Sequence, residues 1–504
     1  MHTRRVLFLS VLTFLLILSF LDQVQAENYT NVTAQEAKTM IDTNPLLVIL
    51  DVREQHEYDS GHIRNTLLIP LGELTSRLGE LDKQSEILVY CLTGGRGASA
   101  SQLLVENEFE YVYNMLGGIT AWSEAGYPVY ISYSSLQEAI NNATAGDTIR
   151  VAIGIYAETI TIDKPITLEG ENKTTTIITN NYTSYHTITI KTSNIRIRDF
   201  TIKNGYYAIF CSQTSIRNLT IQNNIISDNK IAGTSLYGSH HILRNNTVVN
   251  NNFGIIIGTN GSNTITRNTI RYNSQSGIEL RNSRNNKISE NLLQNNSLGI
   301  RFYTQSNNNT IDKNIILNCA NGISTHDSNW NAMTRNSIKN NAGVGISLLQ
   351  SHSNTITKNN ISQNNGKGFF IVNSNNNTIY HNNMVNNSLQ LENRNSTNTW
   401  DDGFEEGNYW SDYIGEDHDS DGVGDTILPW KTVDNYPLMS AYLDGDMNHD
   451  GIVDWQDANL LRTTWLSVWG GENYDPHADF NMDGIISITD ATIIGLNWLK
   501  TWED

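Results

Sequence analysis

The chain of 504 residues is poor in cysteine, in charge, and in positive charge above all. Its 3 cysteines, Cys91, Cys211 and Cys319, are an odd number in unrelated contexts, so at least one thiol is free. Charged residues are 17% of the chain, too dilute for a long coiled coil, and hydrophobic residues at 38% are too many for wholesale disorder. Lys plus Arg number 33 against 52 Asp plus Glu, and no basic stripe compensates, which argues against a DNA or RNA partner. The acid is uneven: from residue 401 onward 23 acidic residues face 3 basic ones, a net of −20, which leaves about +1 for residues 1–400 out of the total of −19. Such a tail favours cations. A chain of this length holds several domains and more than one core.

Long apolar runs are also scarce. The run Val6 to Leu21 follows Arg4 and Arg5 and precedes Val24-Gln25-Ala26, the grammar of a secretory signal over residues 1–26. The expectation is an exported chain, extracellular or at the cell surface, with an uncleaved anchor as the alternative. Asn28-Tyr29-Thr30, Asn31-Val32-Thr33 and Asn172-Lys173-Thr174 are glycosylation sequons.

Residues 27–131 alternate helix-like and strand-like segments. TAQEAKTMI has helical spacing, the run Leu46 to Leu50 ends at Asp51, and the run Ile87 to Tyr90 stops at Cys91. An α/β domain places its functional loops at the carboxyl ends of parallel strands, where both Asp51 and Cys91 fall. The loop Cys91-Leu92-Thr93-Gly94-Gly95-Arg96 opens a helix, so inward amides, the helix N-terminus and Arg96 would stabilise a thiolate. With these residues in place, DVREQHEYDSGHI, YCLTGGRGAS and LGGITAWSEAGYPV resemble the three hallmark segments of rhodanese-type sulfurtransferase domains. The resemblance implies that Cys91 accepts a sulfane sulfur, that the loop amides and Arg96 hold the anionic donor or persulfide, and that a thiol or cyanide removes the sulfur. Asp51 and Arg53 would brace the loop. Asn65-Thr66 and Gly97 depart from the family pattern, which usually has Gly-Ala and often Ser there.

Residues 133–440 repeat. Gly254, Gly277, Gly299, Gly322, Gly345 and Gly368 recur about every 23 residues. In step with them run an apolar column, Ile242, Ile265, Ile288, Ile311, Met333, Ile356 and Ile379, and a polar one, Asn245, Asn268, Asn291, Asn314, Asn336, Asn359 and Asn382. Short β-type runs such as NTITRN and NKISEN between Asn and Gly turns predict a parallel β-helix of about eleven coils, with three short strands per coil, Ile and Leu ladders inside and stacked Asn at a turn. SSLQEAINNATAGD predicts an amphipathic helix closing the first coil. That stretch, with GNYWSDY and DHDSDGVGDTILPW, resembles the NosD-type and broader carbohydrate-binding or sugar-hydrolase β-helix family.

Carboxylates between residues 205 and 395 do not stack, so the coils read as a surface for binding or display, with polysaccharide a candidate ligand. Copper is a further candidate from the NosD likeness, but His240, His241, His326, His352 and His381 share no register and read as surface histidines. The column Arg244, Arg267, Glu290, Lys313, Arg335, Lys358 and His381 reads as a solvated charged edge.

Asp417, Asp419, Asp421 and Asp425 alternate around glycines as a calcium loop would. Over residues 443–504, DMNHDGIVDWQD and DFNMDGIISITD start 33 residues apart and share one EF-hand-like grammar. The calcium ligands would be Asp446, Asn448, Asp450, Ile452 through its carbonyl, Asp454 and Asp457 in the first loop, and Asp479, Asn481, Asp483, Ile485 likewise, Ser487 and Asp490 in the second. Each loop leads into one apolar helix, ANLLRTTWL or ATIIGLNWL. The duplicated form resembles a type I dockerin, which implies a cohesin-bearing partner met by Trp455, Gln456, Ile488 and Thr489. The sequence therefore predicts a multidomain protein, with an α/β rhodanese-like domain, a right-handed parallel β-helix and a small α-helical EF-hand-like domain. A carbohydrate-active β-helix enzyme and a non-enzymatic adhesin are the rival readings.

Overall fold

The computed structural model describes residues 29–180, 184–448, 451–468, 473, 475, 478–480 and 485–500. The expected signal at 1–26 and the loop positions Asp450, Asn481 and Asp483 lie outside the described residues. No described helix is long and apolar enough to cross a membrane. The chain divides into two compact units, the described residues up to Tyr133 with Arg150–Ala152, and the remainder.

The first unit is built on five parallel strands, β1 (Thr30–Val32), β2 (Val48–Asp51), β3 (Leu67–Leu68), β4 (Glu86–Tyr90) and β5 (Tyr111–Met115), in the order β1-β5-β4-β2-β3. Ile87, Leu88, Val89 and Tyr90 of the central β4 are all fully buried, because helices cover both faces and the strand is apolar throughout rather than alternating. Those helices are α1 (Ala34–Thr43), α2 (Gln55–Asp59), α3 (Leu71–Arg77), α4 (Gly95–Glu106) and α5 (Gly118–Glu124). The expected helix TAQEAKTMI starts where Thr33 and Glu36 form a reciprocal capping box.

In the second unit a short helix, α6 (Leu136–Asn142), is capped by Ser135, as the spacing predicts. Three parallel sheets of 12, 11 and 11 strands follow, and successive coils add one strand to each. Inside, Ile265, Ile288, Ile311, Met333, Ile356 and Ile379 stack in register and are fully buried. Beside them runs an amide ladder. Both the backbone N–H and the side-chain amide of Asn268 donate to Oδ1 of Asn291, at 2.9 and 2.9 Å, and the same pair of bonds recurs through Asn314, Asn336, Asn359, Asn382 and Asn408. A buried turn leaves backbone groups that must be paired, and the stacked amides pair them. The ladder ends on a carboxylate: Asp434 accepts Asn408 N–H at 3.0 Å and Trp410 Nε1–H at 2.7 Å. The repeated glycines are required by close approach, since a Cβ on Gly254 would lie 2.4 Å from the carbonyl oxygen of Gly277.

The structure corrects the register at one coil. Leu243 and Asn246, not Ile242 and Asn245, stand in the apolar and amide columns, because the steps to either side of Asn246 are 22 residues rather than 23. Asn245, not Arg244, therefore heads the column before the ladder, whose members Asn245, Arg267, Glu290, Lys313, Arg335, Lys358 and His381 all have φ near +55°. The histidines are corrected as well: His241 and His381 are buried, not surface residues.

Near the carboxyl end, α7 (Trp455–Thr463) and α8 (Ile488–Asn497) bury Val453, Leu461, Ala478, Phe480, Ile486 and Ile494 between them. Trp455, Gln456, Ile488 and Thr489 thus form the first helical turns, one turn earlier than the apolar spacing suggests. Asp454 and Ser487 are the caps that start them there.

Candidate functional site

The thiol site is assembled from three segments. Cys91 follows β4, and the chain turns at Gly94, whose φ of +100° suits glycine, into α4. That turn aims the Gly94 N–H at Cys91 Sγ, 3.1 Å away. The second segment, at the start of α5, clamps the loop from the other side: Ile119 N–H donates to the Cys91 carbonyl at 2.9 Å and Thr120 N–H to that of Leu92 at 3.1 Å. Only glycine fits at position 118, since a Cβ there would stand 2.2 Å from the Cys91 oxygen.

The third segment braces from below. Arg53 pairs with Asp51, with Nη2 at 2.6 Å, and donates from the same nitrogen to the Gly61 carbonyl at 2.8 Å, while Val52 N–H donates to the Tyr90 carbonyl at 3.1 Å. Asp51 and Arg53 are both buried, which fits bracing rather than chemistry. Arg96 is not directed at the sulfur. Its two terminal nitrogens meet the Glu57 carboxylate of α2 at 2.7 Å each, and this pairing holds the Glu57 carboxyl down at about 2 and raises the guanidinium. The donor to the sulfur is the loop amide, and Arg96 ties the loop to α2.

Cys91 is 1% exposed, whereas Leu92 and Thr93 are exposed, so a donor meets the loop before it meets the sulfur. Chemically, a buried sulfur facing an amide and a helix N-terminus suits an anion that forms and discharges there. Gly97 fits closely too: a Cβ would lie 2.5 Å from Asn114 Oδ1. Cys211 and Cys319 are free and buried within the coils, and burial pushes the Cys319 thiol up to about 11.

The acidic tail is partly assembled. Asp417, Asp419 and Asp425 bring carboxylate oxygens within 4.8 Å of one another, while Asp421 stands apart from this group and caps the Val423 N–H at 2.8 Å. In the first EF-hand-like loop, Asp457 accepts Met447 N–H and Asp454 N–H at 2.7 Å each, Asp446 accepts Gly451 N–H at 2.8 Å, and Gly451 takes φ +88° at the sharp turn. In the second, Ser487 and Asp490 repeat the capping arrangement, with Ser487 N–H donating to Asp490 at 2.9 Å. Asp446, Asp457, Asp479 and Asp490 are buried, Asn448 and Asp454 sit on the loop, and Ile452 and Ile485 are exposed.

One cluster escaped the sequence reading. His381 Nε2 lies 2.7 Å from Glu406 and 3.8 Å from Asp402, and all three side chains are less than a tenth exposed. Asp402 and Glu406 belong to a loop within the last coil, after the Thr378–Thr399 bridge and before the strand at Tyr409–Trp410, and past residue 395. The available signal was the period, since residues 402 and 406 fall about one coil after His381.

Comparison with known proteins gives two families. Residues 33–125 match the family described as rhodanese-like domain, and residues 140–318 and 293–415 match that described as periplasmic copper-binding protein (NosD). The chain is 40% identical over 76 residues to the thiosulfate sulfurtransferase GlpE of Coxiella burnetii, covering 15% of this chain and 71% of that one. It is 34% identical over 98 residues to the putative sulfur carrier protein YrkF of Bacillus subtilis, covering 19% of this chain and about half, 53%, of that one. Among solved structures, the A-module of the Azotobacter vinelandii mannuronan C-5 epimerase AlgE6 aligns over 52% of this chain and 92% of its own, at 16% identity and a TM-score of 0.43.

Copper, named in one family description, can be tested against the residues present. Cys211 and Cys319 lie about five coils apart and offer no thiolate pair for copper(I), whereas His381 with two carboxylates is a donor set that copper(II) accepts. The chain carries a rhodanese-like domain at residues 33–125 and, through the coils that make up more than half of it, belongs to the NosD family.

Proposed function

We propose that the chain is an exported, modular sulfurtransferase. Cys91 thiolate attacks the outer sulfur of a thiosulfate-type donor. The donor's S–S bond breaks, sulfite leaves with the electron pair, and a Cys91 persulfide forms. A thiol or cyanide acceptor then attacks the outer sulfur and returns Cys91 as thiolate. The observation that carries this reading is the Gly94 amide 3.1 Å from Cys91 Sγ, placed to bond first the thiolate and then the persulfide anion. Mass spectrometry of the intact chain after thiosulfate exposure tests it. Gain of one sulfur atom at Cys91 is expected, and a thiol that stays unmodified in the folded protein defeats it.

The coils serve binding or display in this reading, and the tail serves attachment. Calcium organises the loops at residues 446–457 and 479–490, with a further ion at Asp417, Asp419 and Asp425, and a cohesin-bearing partner docks on the two helices. Support for docking comes from Trp455 and Ile488, exposed at equivalent helix starts, and from a largely apolar recess of about 320 Å³ lined by Ala458, Leu461, Trp465, Ala491 and Ile494. Calcium-dependent capture of the chain by an immobilised cohesin tests this part. The rival, a carbohydrate-active β-helix with an accessory sulfur domain, is tested by product release from a polysaccharide panel by the whole chain.

A further inference from the structure

We propose that His381, Asp402 and Glu406 bind one borderline divalent metal ion, of the zinc or copper(II) kind, at the carboxyl end of the coils. The site rests neither on the sulfur chemistry nor on the calcium loops.

Its origin is in the repeat. Along the column before the amide ladder, each residue is followed one coil later by another side chain of the column. His381 is the last, and the next place is Gly407, which accepts the His381 N–H through its carbonyl at 2.7 Å. A side chain is excluded there, because a Cβ on Gly407 would meet the Asp434 carboxylate at 2.2 Å. The preceding loop folds into the space instead. Asp402 Oδ1 accepts Phe404 N–H at 2.7 Å and Glu406 N–H at 3.2 Å, which turns the loop and leaves Oδ2 on the side of His381.

The three donors come together without bonding one another well. His381 Nε2 is 2.7 Å from Glu406 Oε2, yet neither nitrogen of the buried ring has a hydrogen-bond partner of good geometry. An imidazolium paired to a carboxylate would aim its N–H at the oxygen. Donors that share a metal aim instead at a common point, and with metal bonds near 2.1 Å they stand roughly 3 to 4 Å apart. Of the observed separations, 3.8 Å lies within that range and 2.7 Å just below it.

The donor types point the same way. Two carboxylates and one imidazole stand together, all under a tenth exposed. Lys358 is engaged elsewhere, with Asp444 at 2.7 Å, and both Lys358 and His381 pack on the Tyr442 ring, with His381 stacked at 4.1 Å. One imidazole with two carboxylates suits zinc or copper(II), whereas calcium takes six to eight oxygens, about twice what is present.

The test uses the full chain carrying Cys91→Ser, to remove the reactive thiol, in excess calcium. Cobalt(II) serves as an optical probe. One equivalent should give visible ligand-field bands, and Zn²⁺ or Cu²⁺ should displace it where more Ca²⁺ does not. Glu406→Gln and His381→Gln should each weaken uptake by more than about tenfold, at least what loss of a partner one shell further out costs a metal site. Their far-UV circular dichroism should match the parent. Copper(II) bound to the unmutated site should show nitrogen coupling in its electron paramagnetic resonance spectrum, a readout that needs no variant. Absence of uptake, displacement by calcium, bands unchanged in both variants, or a copper spectrum without nitrogen coupling would each overturn the assignment.

Discussion

Arg96 and Glu57 form a two-pronged ion pair, each terminal guanidinium nitrogen 2.7 Å from one carboxylate oxygen, across 39 residues of sequence. The pair anchors the loop that carries Cys91 to the helix that follows the Asp51 strand. The loop arginine thereby fixes the position of the loop that carries the sulfur.

That pair makes a pH prediction. The Glu57 carboxyl titrates at about 2 in the folded chain, below the ordinary carboxylate value near 4.3. A lowered folded value means that the stabilisation is present above about pH 4.3 and is lost as pH falls toward 2. Glu57→Gln should therefore lower the unfolding midpoint of the rhodanese-like domain at neutral pH. The gap to the parent should close on acidification across that window, as followed by thermal unfolding at stepped pH. A gap constant with pH would contradict the pairing.

Gly97 and Asn114 should be coupled. Serine is frequent after the loop arginine in similar domains, but here a Cβ at 97 would press on Asn114 Oδ1 at 2.5 Å. Gly97→Ser alone should cost about 1 to 3 kcal/mol by overpacking. In an Asn114→Ala background most of that cost should vanish, and a double-mutant cycle in denaturant would read an interaction energy of the same order.

In the middle of the coils, Asn314→Ala removes the acceptor of two hydrogen bonds from Asn291 and the side-chain donor of a bond to Asn336. A buried donor left without its partner costs about 1 to 3 kcal/mol, and the Asn291 N–H is so orphaned, while Asn291 Nδ2 keeps its bonds to the Ile265 and Ser289 carbonyls. The loss should exceed that of Lys313→Ala, one residue earlier in the chain, whose side chain is exposed, when the two variants are compared by chemical denaturation.

If calcium organises the tail, a chelator should loosen α7 and α8 while the coils persist. Trp455, Trp465 and Trp498 lie on or beside these helices, so their emission should shift on chelation and return on adding calcium. Asp457→Ala should reproduce the chelated spectrum, because Asp457 also holds the turn through the Met447 and Asp454 amides.

Much of this was legible in the sequence because the repeat leaves no choice. Gly254 and its successors are fixed by the carbonyl of the next coil, and the buried asparagines by their neighbours' amides, so both columns survive as letters. Ile242 and Asn245 misled because a step of 22 residues in place of 23 keeps the letters plausible while moving every side chain by one place. The Cys91 loop was legible as a contiguous motif, and the Glu57 partner of Arg96 was not, since nothing local announces a contact across 39 residues. His381 looked like one more member of an exposed column. Its burial is created one coil later by the loop that holds Asp402 and Glu406, whose letters differ from those of the coils before it.

The asparagine row has a direction: each Oδ1 accepts from the asparagine one coil earlier and each backbone N–H donates to the one after, until Asp434 receives the last through a carboxylate. Coils could be gained or lost from the interior by duplication or deletion, each newcomer meeting the same edge it presents. The final position has no such freedom, because a coil placed after Asp434 would find an anion where it needs an amide. Length in this architecture is open to evolutionary change, and its terminus is written once.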